Sequence, residues 1–210
     1  MTIYNLHSSV VDAHHSGAHI LPPDGKDASD DDAEIFNFVP SLHGARLLNE
    51  KEVSLLQRSR VNLMQKPEKP LHCAGIIDNL LIASSDFVDL VEALCPGCHQ
   101  AVPLQHVWFK RAKEPSPGRY FGLLIAGYTR TVDLERSNIY RKKLPQFELP
   151  VVLLTGATVS TRVVYAQAAN RLPIWADDAT GAVFCTESFR ARVNGLPGLS
   201  GLEFLDCTEI

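Results

Sequence analysis

One pattern of apolar and polar positions occurs twice along the chain. Residues 81–94 and residues 183–196 each begin with apolar residues, pass through hydroxyl-bearing residues and then place apolar residues at helical spacing. Each copy is followed by a Pro-Gly pair and a further apolar stretch. The aligned pairs are Phe87 with Phe189, Val91 with Val193, Leu94 with Leu196, and Pro96-Gly97 with Pro197-Gly198. The pattern predicts a unit of strand, capped helix, turn and strand in each half of the chain.

The hydroxyl groups predict where the two helices begin. Ser84 or Ser85 is expected to cap a helix over residues 86–94, and Thr186 is expected to cap a helix over residues 187–194. A side-chain oxygen at that position accepts a hydrogen bond from a backbone N–H that the helix itself leaves unpaired. Both copies are therefore interpreted as scaffold, with no catalytic motif inside either.

Shorter patterns complete a coarse secondary structure. Apolar runs predict strands at residues 2–6, 34–39, 102–110, 119–126, 128–135, 151–155 (a buried strand) and 202–207. A helix is predicted over 49–60 with Asn49 as its cap, and Gly195 is predicted to end the helix of the second copy. Residues 158–169 suit either a helix face or a β-branched strand. The turn at 113–118 predicts a hairpin between the strands on either side of it.

The domain organisation follows from the spacing of these elements. Residues 14–32 are polar, contain Pro22-Pro23-Asp24-Gly25 and end in an acidic run, so they predict a mobile surface loop. No clear linker divides the two halves of the chain. Residues 1–210 are therefore predicted to form a single α+β domain, in which short helices pack on mostly antiparallel strands.

Composition and charge narrow the classes of function. The 210 residues, 45% of them hydrophobic and 21% charged, are typical of a soluble globular protein with a sizeable core. A net charge of -4 argues against direct binding of nucleic acid and favours a basic partner. The chain shows no signal-peptide pattern and no apolar run near the roughly 18 residues of a membrane span, so we expect a cytoplasmic protein. Five cysteines suit reduced thiols in that compartment.

Cys95-Pro96-Gly97-Cys98-His99 is the sharpest chemical motif. Cys-x-x-Cys-His is the attachment signature of c-type haem, but that attachment occurs outside the cytoplasm, and the second copy keeps the Pro-Gly without the cysteines. We therefore expect turn chemistry and no cofactor. Zinc bound by Cys95 and Cys98 is a weaker alternative, because zinc needs four ligands and nothing in the spacing requires His72 and Cys73 to complete the set. A redox Cys-x-x-Cys normally opens a helix, whereas this one follows a helix.

A histidine cluster near the N-terminus has a simpler interpretation. Asp12, His14, His15 and His19 lie close together in the sequence, and His15 and His19 have the spacing of one helix face. Gly17 and the polar surroundings argue against a stable helix there. These side chains are therefore interpreted as solvated histidines of a loop, without the ligand geometry of a metal site.

The remaining carboxylates and hydroxyls do not indicate a particular reaction. Residues 177–181 (Asp-Asp-Ala-Thr-Gly) predict a turn between strands. Asp133 and Glu135 are expected on the same side of a strand, but no third catalytic group accompanies them. The sequence contains neither a Gly-x-Ser-x-Gly elbow nor a phosphate-binding loop.

Three segments together resemble a known family, the eleventh family of immunity proteins from bacterial polymorphic-toxin systems, typified by a myxobacterial member. Residues 80–87 (Leu-Leu-Ile-Ala-Ser-Ser-Asp-Phe) resemble its strand followed by a Ser-Glu/Asp helix start. Residues 120–124 and 132–137 resemble its strand pair that ends in Asp-Leu-Glu-x-Ser. Residues 183–189 and 201–204 resemble its closing Ser/Thr-Glu helix and Gly-hydrophobic-x-Phe strand. The resemblance covers residues 75 to 210.

The resemblance implies a binding protein, not an enzyme. Such a protein neutralises a cognate secreted toxin, for example one delivered by a type VI system, by tight association that covers the active site of the toxin. A basic nuclease would suit the acidic charge of this chain. The expected contact residues lie outside the repeated units, in an acidic loop and a hairpin tip: Asp27, Asp30, Asp31, Asp32 and Glu34, and Arg111, Lys113, Glu114 and Arg119.

Two other classes of function stay open. The first is a small metal-dependent or thiol-dependent hydrolase that uses Cys95, Cys98 and His99. The second is a structural subunit of a larger assembly, which predicts stable self-association.

Overall fold

The fold is given by a computed structural model. It describes residues 2–8, 11–12, 15–16, 18–21, 47–63, 71–77, 80–109, 114–115, 120–142, 151–155, 161–170, 172–198 and 200–210. The α+β prediction is confirmed, because short helices accompany strands that pair mainly in antiparallel fashion.

The secondary structure consists of many short strands and few helices. In chain order the strands are β1 (Ile3–Ser8), β2 (Val11–Asp12), β3 (His15–Ser16), β4 (Ala18–Leu21), β5 (Arg60–Leu63), β6 (Cys73–Ile77), β7 (Leu80–Ser84), β8 (His99–Pro103), β9 (His106–Phe109), β10 (Glu114–Pro115), β11 (Tyr120–Ile125), β12 (Tyr128–Thr129), β13 (Ile139–Lys142), β14 (Val151–Leu154), β15 (Val163–Val164), β16 (Ile174–Asp177), β17 (Val183–Thr186), β18 (Leu202–Asp206) and β19 (Thr208–Glu209). The helices are α1 (Glu50–Arg58), α2 (Ser85–Leu94), α3 (Glu187–Asn194) and a 3-10 helix (Ala166–Asn170).

Two sheets carry the repeated pattern. The strand order is β6-β7-β11-β8 in the first sheet and β12-β16-β17-β1-β18 in the second. Neighbouring strands are antiparallel in both, except that β12 adds to β16 in parallel. We call β6, β7, α2, β8 and β11 the first unit, and β16, β17, α3, β18 and β1 the second unit.

The two units share a strand order but not a chain order. In each unit, the strand before the helix and the strand after it flank one central strand, which is β11 in the first unit and β1 in the second. The registers agree as well. Phe121 faces Ala83 and Pro103, and its counterpart Tyr4 faces Cys185 and Asp206. The first unit thus takes its central strand from residues that follow β8, whereas the second takes it from the N-terminal end of the chain.

Both helices and both sheets contribute to one shared core. Phe87 and Val91 of α2 are buried in it together with Phe189 and Val193 of α3. The strand residues buried there are Tyr4, Leu6, Cys73, Leu81, Ala83, Leu123, Ile125, Ile174, Ala176, Val183, Cys185 and Leu202. Full burial of one such apolar side chain stabilises the fold by about 1.5–3 kcal/mol relative to exposure. The predicted apolar faces of the two helices therefore pack against each other.

The outer face of each sheet is covered separately. Leu80 and Ile82 point away from the shared core and pack with Leu56 of α1 and with Val61 of β5. On the second unit, Trp175 and Phe184 stack with ring centroids 6.2 Å apart, beneath the segment that contains β15 and the 3-10 helix. Alternate residues of β7 thus serve two cores, which explains why its sequence is almost uniformly apolar.

The predicted helix starts are confirmed. Ser84, rather than Ser85, caps α2 by accepting the N–H of Phe87, and Thr186 caps α3 in the same way. Asn49 caps α1 and forms a reciprocal capping box with Glu52. Gly195 ends α3 as predicted, in a right-handed conformation with φ of -84°.

Several strand predictions need correction. The predicted strand over 102–110 is two strands, because β8 ends at Pro103 and pairs with β11 while β9 joins another sheet, of order β10-β9-β5-β4. The predicted hairpin is therefore wrong: β11 pairs with β8 and not with β9, and both β9 and β10 lie between β8 and β11 in the chain. The continuous strand predicted over 128–135 ends after Thr129, since the carboxylate of Asp133 accepts two backbone N–H groups and turns the chain.

The ambiguous and loop segments are also resolved in part. Val163–Val164 is a short strand parallel to β19, and the 3-10 helix follows it. The strand predicted over 151–155 is β14, but Val152 and Leu154 are half-buried rather than buried. The prediction of a loop over 14–32 is wrong at the residues of β3 and β4, which are strands. β4 pairs along its whole length with β5. The strand predicted at 34–39 lies outside the described residues.

Candidate functional site

The Cys95–His99 motif forms a tight turn at the C-terminal end of α2. Cys95 is the C-cap of the helix and donates its N–H to the carbonyl of Val91 at 2.8 Å. Cys95 and Cys98 are joined by a disulfide, with their Cα atoms 5.5 Å apart. The expectation of reduced thiols therefore holds only for Cys73, Cys185 and Cys207. The bonded sulfurs are neither zinc ligands nor thiolate nucleophiles in this state.

His99 begins β8 beside this turn. Its Nε2 lies 3.4 Å from a carboxylate oxygen of Glu92 on α2, and only 7% of its side chain is exposed. Its Nδ1 is buried without a hydrogen-bond partner among the described residues. The imidazole therefore connects the helix to the strand after it.

His72 lies apart from the cysteine pair and connects the two units. Its Nε2 donates to the carbonyl oxygen of Pro197, 2.8 Å away, which assigns Nδ1 as the acceptor for the hydroxyl of Ser84 at 3.0 Å. Ser84 therefore accepts the N–H of Phe87 as the cap of α2 and donates its hydroxyl proton to His72. Next to it, the N–H of Cys73 donates to the carbonyl of Ser200 at 2.9 Å. His72 and Cys73, which the sequence did not require as zinc ligands, thus connect the two units through hydrogen bonds.

Metal-ligating groups do not converge in the described part of the chain. No group of three or more His, Cys, Asp or Glu side chains there has the proximity needed to hold a metal ion. Asp12 and His15 face each other across β2 and β3, and His19 lies on β4 opposite Asn62, so these positions follow strands and not a helix face. His14 lies outside the described residues.

Asp177 is the most heavily engaged carboxylate among the described residues. One oxygen accepts the N–H groups of Thr131 and Val132 at 2.7 and 2.9 Å. The other accepts the N–H groups of Ala179 and Thr180 and the hydroxyl of Thr180, at 2.8 to 3.1 Å. The predicted turn at 177–181 is confirmed, and the buried carboxylate ties it to a distant loop. Asp133 is buried in that loop, while Glu135 is exposed, so the two do not form a carboxylate pair.

The three free cysteines are poor nucleophiles because of where they lie. Burial raises the pKa of Cys73 to about 12 and that of Cys207 to about 12, and it raises the pKa of Cys185 well above its usual value. Near neutral pH these thiols stay protonated and behave as small apolar side chains.

Tyr4 anchors a polar group on the second unit. Its hydroxyl donates to the carboxylate of Glu187, and this hydrogen bond together with burial raises the pKa of Tyr4. The guanidinium of Arg190 lies 4.5 Å from the Tyr4 ring centroid and 5.9 Å from that of Phe204. The group therefore links α3 to β1 and β18, and its contacts are internal to the unit.

The predicted contact residues fall mostly outside the described residues. Of them, only Glu114 is described, and its backbone pairs with that of Phe109, next to the pairing of Pro115 with Trp108. On the same sheet, the guanidinium of Arg60 lies 4.8 Å from the Trp108 ring centroid and donates from Nε to Asn62 at 3.0 Å. We call Arg60, Trp108, Glu114 and Pro115 the β9–β10 surface.

Sequence reasoning missed several of these residues. Arg60 and Trp108 lie far apart in the sequence and meet only because β5 and β9 pair in parallel, with Arg60 facing His106 and Asn62 facing Trp108. Nothing in the local sequence of either strand signals that pairing. The role of Asp177 had a signal in the Asp-x-x-Thr spacing of its turn, but its bonds to Thr131 and Val132 had none.

Comparisons with known proteins leave the family untested. The chain matches no protein-family model, and no curated protein matches it significantly. Among the described residues, none of the helices has the length and apolar character needed to cross a bilayer.

Proposed function

We propose that this chain is an immunity protein, which binds a cognate secreted bacterial toxin in the cytoplasm and covers its active site. One observation carries the proposal: the groups that could perform chemistry are used to hold the fold. Ser84 and Thr186 cap helices, Asp177 closes a turn, and Cys95 and Cys98 are bonded to each other. A scaffold of this kind suits recognition of a macromolecule better than turnover of a substrate.

The three segments that resemble the immunity family also lie together. β7 pairs antiparallel with β11, and the helices that follow β7 and β17 meet through Phe87 and Phe189. Segments far apart in sequence therefore form one continuous scaffold, as expected if they are the structural signature of one family. This grouping supports the resemblance on which the proposal rests.

The β9–β10 surface is the proposed contact region. Trp and Arg are among the residue types that most often carry the binding energy of protein interfaces. Trp108 and Arg60 lie half-buried, and Trp108 pairs with Pro115 of β10, next to Glu114. The net charge of -4 favours a basic toxin, such as a nuclease, through faster association. An interface of about 1,600 Å² would be the ordinary size for such a complex.

The proposal predicts a toxin gene next to the gene for this chain, and co-expression of the two tests it. We expect the chain to rescue growth, and Trp108→Ala to weaken the purified complex by at least about 30-fold. Tyr140→Ala is the matched control, because Tyr140 is an exposed aromatic residue on the separate β13–β14 pair. Failure to rescue growth contradicts the proposal. Loss of protection in a folded Cys98→Ala variant favours the thiol-dependent hydrolase instead.

A further inference from the structure

We propose that the Cys95–Cys98 disulfide is a reversible thiol–disulfide site that reacts with a dithiol reductant at the sulfur of Cys98. This inference is independent of the proposed function, because it concerns the turn after α2 and not the β9–β10 surface. It differs from the redox Cys-x-x-Cys considered in the sequence analysis, because it needs no thiolate stabilised at the start of a helix: the attacking thiolate belongs to the reductant.

The turn is held by backbone hydrogen bonds that do not need the disulfide. The N–H of Cys98 donates to the carbonyl of Cys95 at 3.1 Å, and the carbonyl of Cys98 accepts the N–H groups of Ala126 and Gly127 at 2.9 and 3.0 Å. The backbone N–H of Cys95, the C-cap of α2, donates to the carbonyl of Val91. The fold therefore has no structural requirement for the covalent bond.

The second unit supplies an internal comparison. Its helix α3 packs into the same core and ends in a turn with Pro197 and Gly198, where no cysteine is present. Gly195 and Leu196 close that turn through backbone bonds to Ala191 and Val193. A disulfide across four residues also constrains the unfolded chain less than one that closes a long loop. The bond of the first unit is thus an addition to a turn whose counterpart in the second unit forms without one.

Access to the two sulfurs is unequal. Cys95 is 3% exposed and belongs to the shared core, whereas Cys98 is half-buried beneath the exposed residues Pro96 and Gly97. Gly97 has a positive φ of 73°, and no atom lies within 4 Å of the position that a Cβ would occupy there. Because Cys98 is the more exposed of the two cysteines, an incoming thiolate attacks its sulfur, and Cys95 becomes the leaving group.

The exchange is a balanced two-electron reaction. One thiolate of the dithiol attacks Sγ of Cys98, a mixed disulfide forms, and the Cys95–Cys98 bond breaks to leave Cys95 as a thiolate that takes up a proton. The second thiol of the reagent then attacks the reagent's other sulfur, which is bonded to Cys98 in the mixed disulfide, and releases Cys98. The protein gains two electrons and two protons, and the dithiol becomes a cyclic disulfide.

The other cysteines do not compete with this site. Cys73, Cys185 and Cys207 are buried, and the pKa of each thiol is raised by burial. None of them offers a thiolate near neutral pH that could attack the Cys95–Cys98 bond. Exchange is therefore confined to one end of one helix.

The site also lies at the connection between the two sheets. Ala126 and Gly127, which bond to the carbonyl of Cys98, lead from β11 into β12, and the carbonyl of Gly127 accepts the N–H of Ala176 in β16. Because these hydrogen bonds do not involve the sulfur atoms, we expect the amide protons of Ala126 and Gly127 to stay protected from exchange with solvent in the reduced protein, as the core amides do.

Intact-mass measurement on the full chain tests reversibility. The oxidised protein should gain two hydrogen atoms on treatment with dithiothreitol without denaturant, bind one equivalent of a maleimide at Cys98 and keep its circular dichroism spectrum. An air-oxidised sample of the reduced protein should return to the lower mass. A bond that opens only in denaturant, or a reduced protein that unfolds, would show a structural cross-link and overturn the proposal.

Two single variants test which sulfur is attacked, with glutathione disulfide as the probe. In Cys95→Ser, the remaining Cys98 should take up one glutathione and release the other as a thiol. In Cys98→Ser, the buried Cys95 should take up none under the same conditions. Equal labelling of both variants, or labelling of Cys98→Ser alone, contradicts the assignment. The Cys95→Ser/Cys98→Ser double variant, which should fold and show no labelling, controls for reaction at the other cysteines.

Discussion

Phe87 and Phe189 pack edge to face in the shared core, with ring centroids 6.0 Å apart and ring planes at 83°. They occupy the same position in the two copies of the sequence pattern, three residues after the caps Ser84 and Thr186. The contact therefore joins the two units at equivalent points. Neither unit can bury the apolar face of its helix without the other, which makes this pair a test of how the halves depend on each other.

Truncation of either ring should destabilise the whole chain. We expect Phe87→Ala and Phe189→Ala each to lower the free energy of unfolding by about 3–5 kcal/mol, since each leaves a cavity in the core. Because the rings contact each other, the double variant should cost less than the sum by about 0.5–1.5 kcal/mol. Urea unfolding of the four proteins measures this coupling. Strict additivity, or two separate unfolding transitions, would mean that the units are energetically independent.

The buried carboxylate of Asp177 should contribute more to stability than its predicted place in a turn suggests. Asp177→Asn replaces one acceptor oxygen by an NH2 group that faces backbone N–H donors, so at least about 2 kcal/mol of stability should be lost. Asp178→Asn is the matched control, because Asp178 is exposed and its substitution should change stability by less than about 0.5 kcal/mol. Thermal unfolding of both variants checks the prediction, which is wrong if the two behave alike.

Two glycines with similar backbone conformations should respond differently to alanine. Gly97 and Gly201 have φ of 73° and 67°, so alanine at either position costs about 1–2 kcal/mol in backbone conformation. At Gly97 a Cβ meets open space, whereas at Gly201 it would overlap the carbonyl oxygen of Cys73. Gly97→Ala should therefore remain folded, and Gly201→Ala should lose clearly more stability. Urea unfolding of the two variants measures the difference, and equal midpoints would contradict the prediction.

The buried thiols predict a decline in stability at alkaline pH. An ordinary thiol has a pKa near 9.0, but burial raises the pKa of Cys207 in the folded protein to about 12. Between these values the unfolded chain has lost a proton that the folded chain keeps, so the free energy of unfolding falls as pH rises. Below that window the contribution of the thiol is fully present.

Removal of the thiol group should reduce this decline. In Cys207→Ala, the fall in unfolding free energy should be smaller by up to about 1.4 kcal/mol per pH unit within the window. Urea unfolding at about pH 8 and about pH 10 measures it. Leu202→Ala is the control, because it shortens a buried side chain without removing a titrating group. An equal pH slope in the Cys207 variant and the control would contradict the raised pKa.

Local features of the fold could be predicted from the sequence because their causes are local. Asn49, Ser84 and Thr186 form caps through hydrogen bonds to residues three positions away, and apolar spacing marks the buried faces of the helices that follow. The choice between Ser84 and Ser85 needed the structure, because either hydroxyl can reach a free N–H.

The partners of the strands could not be predicted in the same way. The alternation in β1 indicates a strand, but nothing within six residues specifies that β17 and β18 lie on either side of it. The break after Thr129 depends on a carboxylate that folds back on its own backbone, in a segment whose apolar pattern continues. For the candidate site the limit is the same, since Arg60 meets Trp108 only through a parallel pairing of distant strands.

The position of β1 has a consequence for biosynthesis. Both of its neighbours in the sheet are synthesised long after it, because β17 begins only at Val183 and β18 only at Leu202. At ordinary elongation rates the delay is on the order of ten seconds. Throughout that time the nascent polypeptide carries β1 without either of the strands that pair with it, so chaperones and proteases have an interval in which to act before β17 and β18 are made.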